Sequence, residues 1–408
     1  MRRTSSPATP TLLRSSAVGV ESGAVFTGAG SFILSAATGF IVFHDTLTPL
    51  WSEWPSVGIL AMITGSVCGA AGFAIGSKNS YRRPPAAKRL SPSIIRHFLD
   101  TAALIFTHVA IYSMLCFVLF AIFQDAFQGL KVDALTATML VGLMGAVGSY
   151  FMYLSASTMT TYKLSTLLMI FVTSGVMMSM VTANDPRWWE MNFSALGMSN
   201  DLSGYAFNGT VVIAGAVITT LANYITADLT SWARSGTVLK SGRVALVRWA
   251  LVLIGIFLAC VGIVPVNVSV VIHNTASSSL ALVFFTLVVS LRFLVPGFPK
   301  AFFLLSYALL VVVVISALLF FPIGYYNLTA FELIVSGLIF GWLAILIRNI
   351  AAVSVDSVSD EAAEAAMVAG APELPGDPSA EVPLHGRHRD DAGERDHRDR
   401  AHQRGEHA

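Results

Sequence analysis

"FFLLSYALLVVVVISALLFF", residues 302–321, is twenty residues long, and its polar groups are the hydroxyls of Ser306, Tyr307 and Ser316. A helix rises 1.5 Å per residue, so about 20 mainly apolar residues cross the ~30 Å hydrocarbon core of a bilayer. The stretch is uncharged. It is also too long and too uniformly apolar for a barrel strand, which alternates its faces. Open strands would leave backbone groups unpaired in lipid, so a helix is the only sensible conformation. With almost nothing small or polar along it, this segment is expected to face lipid.

Working outward, nine more runs qualify or nearly so. They are Ala24–Phe43, Val57–Ile75, Phe98–Phe123, Ala134–Leu154, Leu164–Val181, Tyr205–Ile225, Ala245–Val264, Ser279–Val295 and Phe331–Ile347, the ninth of the ten being Ala301–Phe321. The bulk numbers agree. Of 408 residues, 55% are hydrophobic and 12% charged, with a mean hydropathy of +0.69. A soluble domain spends about a quarter of its residues on charge. The fold expected is all-α: a polytopic helical membrane bundle of about ten transmembrane helices.

Basic residues test the count, because connections on the cytoplasmic side are rich in Lys and Arg. With the N-terminus inside, the inner set is Arg2, Arg3, Arg14, Lys78, Arg82, Arg83, Lys88, Arg89, Arg96, Lys163, Arg234, Lys240, Arg243, Arg248, Arg292, Lys300 and Arg348. The outer set is Lys131 and Arg187, a ratio of seventeen to two. One missed span would invert everything after it, so both ends are expected to be cytoplasmic. Trp51, Trp54, Trp188 and Trp189 then sit at the outer boundary and Trp232 and Trp249 at the inner one. No clean cleavage site ends the first apolar run, which reads as a retained span after a basic N-terminal segment. Low Lys beside frequent Arg, Ala, Val and Gly suits a high-GC bacterium, and the plasma (inner) membrane is the localisation expected.

The organisation read from this is residues 1–23 as a cytoplasmic segment, 24–155 as four spans, 156–348 as six spans and 349–408 as a tail. The tail loses apolar periodicity to Pro, Gly and charge and is expected to be disordered. It holds five of the nine histidines, at spacings that fit no defined metal site. The basic loop carrying Arg82, Arg83, Lys88 and Arg89 is expected to lie against anionic headgroups. Gly65, Gly69, Gly72 and Gly76 share one helix face, as do Gly142, Gly145 and Gly148, which predicts close helix approach. Cys68, Cys116 and Cys260 are far apart inside apolar runs and read as packing residues. The turn "LVPGFPK" predicts a tight hairpin.

Candidate chemistry falls in two places. Within the membrane, His108 shares a helix stripe with Thr101 and Tyr112 by seven- and four-residue spacings. A proton relay is one reading. The plainer one is a neutral histidine hydrogen-bonded to Tyr112 or a neighbouring helix, and it is favoured because no second buried acid or base is evident. Asp100 and Glu332 lie at span ends and call for no special account. On the outer face, the connection between the fifth and sixth spans, "NFSALGMSNDLSGYAFNGT" (residues 192–210) included, supplies Asp185, Glu190, Asn192, Ser194, Gly197, Ser199, Asn200, Asp201, Ser203 and Asn208. The connection "VPVNVSVVIHNTASSS" supplies Asn267, His273, Asn274 and Ser277 to Ser279. Both could fold into the mouth of a bundle. His273 with Asp201 or Glu190 would make an acid–base pair. The plainer reading is helix capping by Asn and Ser. Four N-x-S/T patterns, at Asn192, Asn208, Asn267 and Asn327, fall outside or at the outer edge and matter only where glycosylation occurs. No Walker loop, zinc-protease helix, Gly-x-Ser-x-Gly elbow or His/Cys cluster is present, so no cofactor, metal or nucleic acid is expected.

"FSALGM…SGYAFNGTVVIAG", followed one hairpin later by "VIHNTASSSLALVFF", resembles the bacterial domain-of-unknown-function-998 membrane family over about residues 164–347. The positions that carry the resemblance are Ser194, Leu196, Gly197, Phe207, Asn208 and His273. It implies a six-span layout with a long first outer loop. By analogy with membrane proteins of similar layout, it also implies a lipid-facing role. The expectation is a non-enzymatic protein that handles a lipid or envelope component through an outer mouth built from Ser194, Gly197, Asp201, Asn208, His273 and Asn274. A small-solute or proton-coupled transporter using His108 and Tyr112 is the second expectation. A lipid-headgroup enzyme using His273 is the third.

Overall fold

The computed structural model describes residues 17–52, 54–78, 94–234 and 240–368. Arg82, Arg83, Lys88 and Arg89, and the tail from residue 369, lie outside the described residues. One compact unit runs to Glu361; of the second, Ala362–Ala408, the described residues are the last turns of a helix.

Ten helices among the described residues are long and apolar enough to cross a membrane. They are α1 (Ala17–Phe43), α2 (Val57–Lys78), α3 (Ile94–Ala126), α4 (Ala134–Ser157), α5 (Thr161–Val181), α6 (Leu202–Arg234), α7 (Ser241–Ile263), α8 (Val270–Leu294), α9 (Lys300–Phe320) and α10 (Leu328–Val368). Every apolar run found in the sequence lies within one of these helices or within two residues of its ends. Several helices overshoot their runs, because a helix can continue into water where its polar side chains are solvated. α1 therefore starts at Ala17, inside the segment read as an N-terminal arm. The largest corrections are α10, which stays helical to Val368, through residues 349–368 that the sequence assigns to a disordered tail, and α8, which starts at Val270 where the sequence predicts Ser279. Residues 270–278 were read as loop for their Asn, Ser and Thr. Ser269 caps the helix by accepting from Ile272 N–H at 3.4 Å, and Ser277 Oγ donates back to the His273 carbonyl at 2.6 Å. Ser269 and Ser277 are thus satisfied by the helix and do not break it.

The helices alternate in direction. The connections α1–α2, α3–α4, α5–α6, α7–α8 and α9–α10 share one end, called here the Trp188 end; among the described residues, the connections α4–α5 and α8–α9 lie at the other, the Lys163 end. At the Trp188 end a two-residue antiparallel ladder, β1 (Thr48–Pro49) with β2 (Lys131–Val132), joins two connections, a small addition to the all-α expectation. At the Lys163 end Arg348 lies 4.2 Å over the Tyr162 ring and donates to its hydroxyl. The predicted hairpin between α8 and α9 is five residues, 295–299. Gly297 adopts φ +105° there, against the Trp232 ring.

Glycine sets the packing. α1 buries Val20, Ala24, Gly28, Ser31, Ser35, Gly39 and Phe43, one line at spacings of three and four. That line meets α4, where a Cβ on Gly145 would strike the Ser35 side chain. From the other side α2 packs on α4, so that Gly69 faces Met152, Gly72 faces Ser149, and Gly76 faces the Tyr153 carbonyl. Tyr112 of α3 fills the space left by Gly65 and Gly148, its O–H between the carbonyls of Ala61 (3.2 Å) and Met144 (3.0 Å). α3 is the seam between the first four helices and the rest. Its Asp100 carboxylate accepts from Thr220 Oγ1 at 3.1 Å and Asn223 Nδ2 at 3.0 Å, both on α6. α6 and α7 cross at Gly215 and Gly255, each of which meets the other's carbonyl.

Candidate functional site

The polar insert between α5 and α6 folds as two short 3-10 turns, Trp188–Glu190 and Phe193–Met198. Five hydrogen bonds fasten it, four of them to residues distant in sequence. His273 Nε2 accepts from Ser194 Oγ at 3.2 Å, while its Nδ1 donates to the Val264 carbonyl at 2.9 Å. Asn208 Nδ2 donates to the Gly197 carbonyl at 2.8 Å, and Asn267 Nδ2 to that of Met198 at 3.1 Å. Glu332 accepts from Phe193 N–H at 2.6 Å, and Asn327 Nδ2 donates to the Trp189 carbonyl at 2.9 Å. Gly197 allows the Asn208 contact, since a Cβ would meet the Asn208 side chain and the Phe207 ring. Ser194, Gly197, Asn208 and His273 are thus brought together, and their polar atoms are spent on one another and on backbone.

Asp201 and Asn274 are not in this knot. Asp201 caps α6, accepting from Gly204 N–H at 3.0 Å, Ser199 Oγ at 2.6 Å and Asn184 Nδ2 at 2.6 Å. The Ser199 hydroxyl first, then the Gly204 N–H, hold its carboxyl below the usual carboxylate range. Asp133, which caps α4, is lowered likewise by the Thr136 hydroxyl and N–H. Glu190 is exposed, and His273 hydrogen-bonds to neither Glu190 nor Asp201. The acid–base pair read from the sequence is therefore not formed.

Asn274 points away from His273, because adjacent helix positions are turned by ~100°. His273 is 5% exposed, facing inward; Asn274 is exposed. With Thr275, Ser278, Ser279 and Leu282 it forms a shallow, open strip along the α8 surface, called here the α8 groove. The side chains of Asn274, Thr275, Ser278 and Ser279 make no hydrogen bond among the described residues. Elsewhere in these helices hydroxyls bond back to the preceding turn: Thr286 to the Leu282 carbonyl, Ser290 to that of Thr286, Ser306 to that of Phe302. Exposed apolar residues flank the groove, with Val268 (69%) and Val271 (76%) before it and Leu282 (66%) and Phe285 after it. Three exposed polar side chains, Asn274, Thr275 and Ser278, and the half-buried Ser279 therefore sit among exposed apolar residues. Unlike Ser278 and Ser279, Thr275 was missed in the sequence. The signal was the pairing 274/275 with 278/279, a helical repeat inside a stretch read as loop.

Within the bundle, His108 is 8% exposed and packs on the Phe73 ring at 4.8 Å. Its Nδ1 donates to the Leu104 carbonyl at 2.7 Å, and Nε2 accepts from Ser155 Oγ on α4 at 2.8 Å. It does not bond to Tyr112, whose hydroxyl is already placed on α2 and α4. His108 repeats the arrangement of His273: one ring nitrogen on a carbonyl of its own chain segment, the other on a serine across a helix gap. Acids passed over in the sequence hold helices together. Besides Asp100 and Glu332, Asp228 of α6 meets the Thr161 hydroxyl at the start of α5. The signal was an acid or amide within an apolar run, which requires a partner. No group of three or more His, Cys, Asp or Glu suited to a metal occurs among the described residues.

These features define a multi-pass helical membrane protein with a pinned polar insert at one end and a lateral polar groove beside it. No protein-family model, no curated protein and no solved structure matches the chain.

Proposed function

We propose that this protein is a non-enzymatic membrane protein that binds a membrane lipid through the α8 groove, laterally and not down an axial mouth. One observation carries the reading: Asn274, Thr275, Ser278 and Ser279 lack internal hydrogen-bond partners on a helix face flanked by the exposed apolar residues Val271, Leu282 and Phe285. Unpaired polar groups in hydrocarbon are costly, so the site favours a ligand that supplies donors and acceptors at that depth. The pinned insert serves this site indirectly, since His273 fixes the rotation of α8 that turns Asn274 outward. Proton transfer through His108 finds no support in a ring whose two nitrogens are occupied. The six-span family resemblance carried by Ser194, Leu196, Gly197, Phe207, Asn208 and His273 belongs to the same proposal.

The test is lipid analysis of the detergent-purified protein, wild type against Asn274→Leu/Ser278→Leu. Losing hydrogen bonds worth about 0.6–1.5 kcal/mol each predicts roughly tenfold less co-purifying lipid. The fold should be unaffected, because both residues are exposed. Equal lipid in the two proteins removes the reading. His273→Ala is the wrong probe, because it would loosen the insert as well.

In the proposed orientation both chain ends are cytoplasmic, in a bacterial plasma membrane, from the distribution of Lys and Arg. A cysteine at Ser199, exposed at the Trp188 end, then reacts with an impermeant thiol reagent in intact cells, and one at Lys240 does not. The reverse pattern inverts the orientation.

A further inference from the structure

We infer that the polar insert and the first turns of α10 enclose a site for a small monovalent cation, Na⁺ by its ligand set, held by Glu332, Asn192 and Thr329. Two hydrogen bonds lay the two segments side by side. Asn327 Nδ2 donates to the Trp189 carbonyl at 2.9 Å, and Glu332 accepts from Phe193 N–H at 2.6 Å. Asn192 lies between these ties on the insert, and Thr329 lies between them on the helix. Each carries a side-chain oxygen shut off from solvent and left without a hydrogen bond, Asn192 Oδ1 and Thr329 Oγ1. Thr329 is only 3% exposed. Further along a helix its hydroxyl would bond back one turn, as that of Thr286 does to the Leu282 carbonyl; Thr329 stands too near the start of α10 to have such a carbonyl behind it. Three residues apart on one helix, Thr329 and Glu332 are neighbours on its surface.

Two orphaned oxygens beside a carboxylate call for a positive charge. Among the described residues the half-buried Glu332 takes its one hydrogen bond from Phe193 N–H, and no Lys, Arg or His side chain forms an ion pair with it. A carboxylate withdrawn from water without a counter-charge is costly. The α10 N-terminus does not relieve it, because Asn327 takes Ala330 N–H through Oδ1 at 2.9 Å and Phe331 N–H through its carbonyl at 3.3 Å. A carboxylate, an amide oxygen and a hydroxyl are hard oxygen ligands, which suit hard cations. Charge then selects among these. One carboxylate neutralises a monovalent ion, whereas a divalent ion such as Ca²⁺ would keep excess charge and seeks roughly six to eight oxygens. Space selects too: oxygens closed to a water molecule leave room for a small bare ion and not for a hydrated one. Filled, the site would add a third tie between the insert and α10.

The experiment uses the full chain purified in detergent, at one ionic strength, in the chloride of sodium, potassium, calcium or N-methylglucamine. Hydrogen exchange is read by mass spectrometry. A site filled at about ten times its Kd slows opening of the segment it ties roughly tenfold. The expected result is that slowing at residues 189–193 in Na⁺ relative to N-methylglucamine. Glu332→Gln keeps an acceptor for Phe193 N–H but removes the charge, and should abolish the Na⁺ dependence. Thr329→Val removes the hydroxyl at nearly constant shape and should weaken it. A merely structural role for either side chain would change exchange equally in every salt. If the wild type exchanges alike in all four salts, water or a proton serves these oxygens and the inference is overturned. If K⁺ or Ca²⁺ protects as well as Na⁺ or better, the assignment of a small monovalent ion fails. If Glu332→Gln responds to Na⁺ as wild type does, the ion acts elsewhere and the site does not exist.

Discussion

Gly215→Leu is expected to leave no folded protein after detergent extraction, while Gly30→Leu purifies with a melting temperature within about 2 °C of wild type. Both are glycines inside apolar helices, and the sequence gives no reason to separate them. At Gly215 a Cβ would meet the Gly255 carbonyl, and the Ala259 backbone nitrogen at 2.7 Å. These are backbone atoms of α7 and cannot rotate aside, so α6 and α7 must move apart. α6 carries Ile218, Leu221, Ala222 and Ile225 into the main core, so separating the pair exposes the bundle's interior. Overpacking commonly costs about 1–3 kcal/mol where side chains can yield, and more where they cannot. At Gly30 nothing lies within 4 Å of an added Cβ, and the position is exposed on α1. Size-exclusion profiles and melting curves of the two variants decide the matter. Well-folded Gly215→Leu protein would mean that α6 and α7 do not touch as described.

Replacing His273 by alanine should free the polar insert while leaving the bundle intact. The ring ties the half-buried Val264 carbonyl to the half-buried Ser194 hydroxyl, and leaving such groups unpaired costs up to about 1–3 kcal/mol each. A local loss of about 2.7 kcal/mol corresponds to roughly 100-fold faster opening of the Phe193–Met198 turn. Hydrogen exchange measured by mass spectrometry should show that acceleration at residues 193–198 and none in α4, whose packing on α1 and α2 involves none of these groups. Unchanged exchange at 193–198 would mean that the remaining four bonds, or packing such as the Phe193–Phe207 ring pair at 5.1 Å, suffice to hold the turn.

Much of this architecture could be read from the chain, because apolar length is a property of a contiguous segment. Phe302–Phe321 announces a span by itself, and the same count found all ten. The glycine rows of α2 and α4 were likewise legible, since spacings of three and four fix a common face wherever the helix goes. The α6–α7 crossing was not, because Gly215 and Gly255 stand alone in their runs and acquire meaning only from each other.

The candidate site divides along the same line. That Ser194, Gly197, Asn208 and His273 matter together was visible as a polar concentration in an apolar chain. That they neutralise one another was decided by tertiary structure: His273 finds Ser194 79 residues away, and Asp100 finds Asn223 at a separation of 123. Residues 270–278 are helical where their polar composition predicts a connection, since Ser269 caps the helix and Ser277 bonds back to the preceding turn. Within that helix two neighbouring residues, about 100° apart, part company: His273 faces inward and Asn274 is exposed. Burial in lipid is summed residue by residue along a segment, so the sequence determines it. A hydrogen bond needs two groups within about 3 Å, and only the packing of distant helices brings them there.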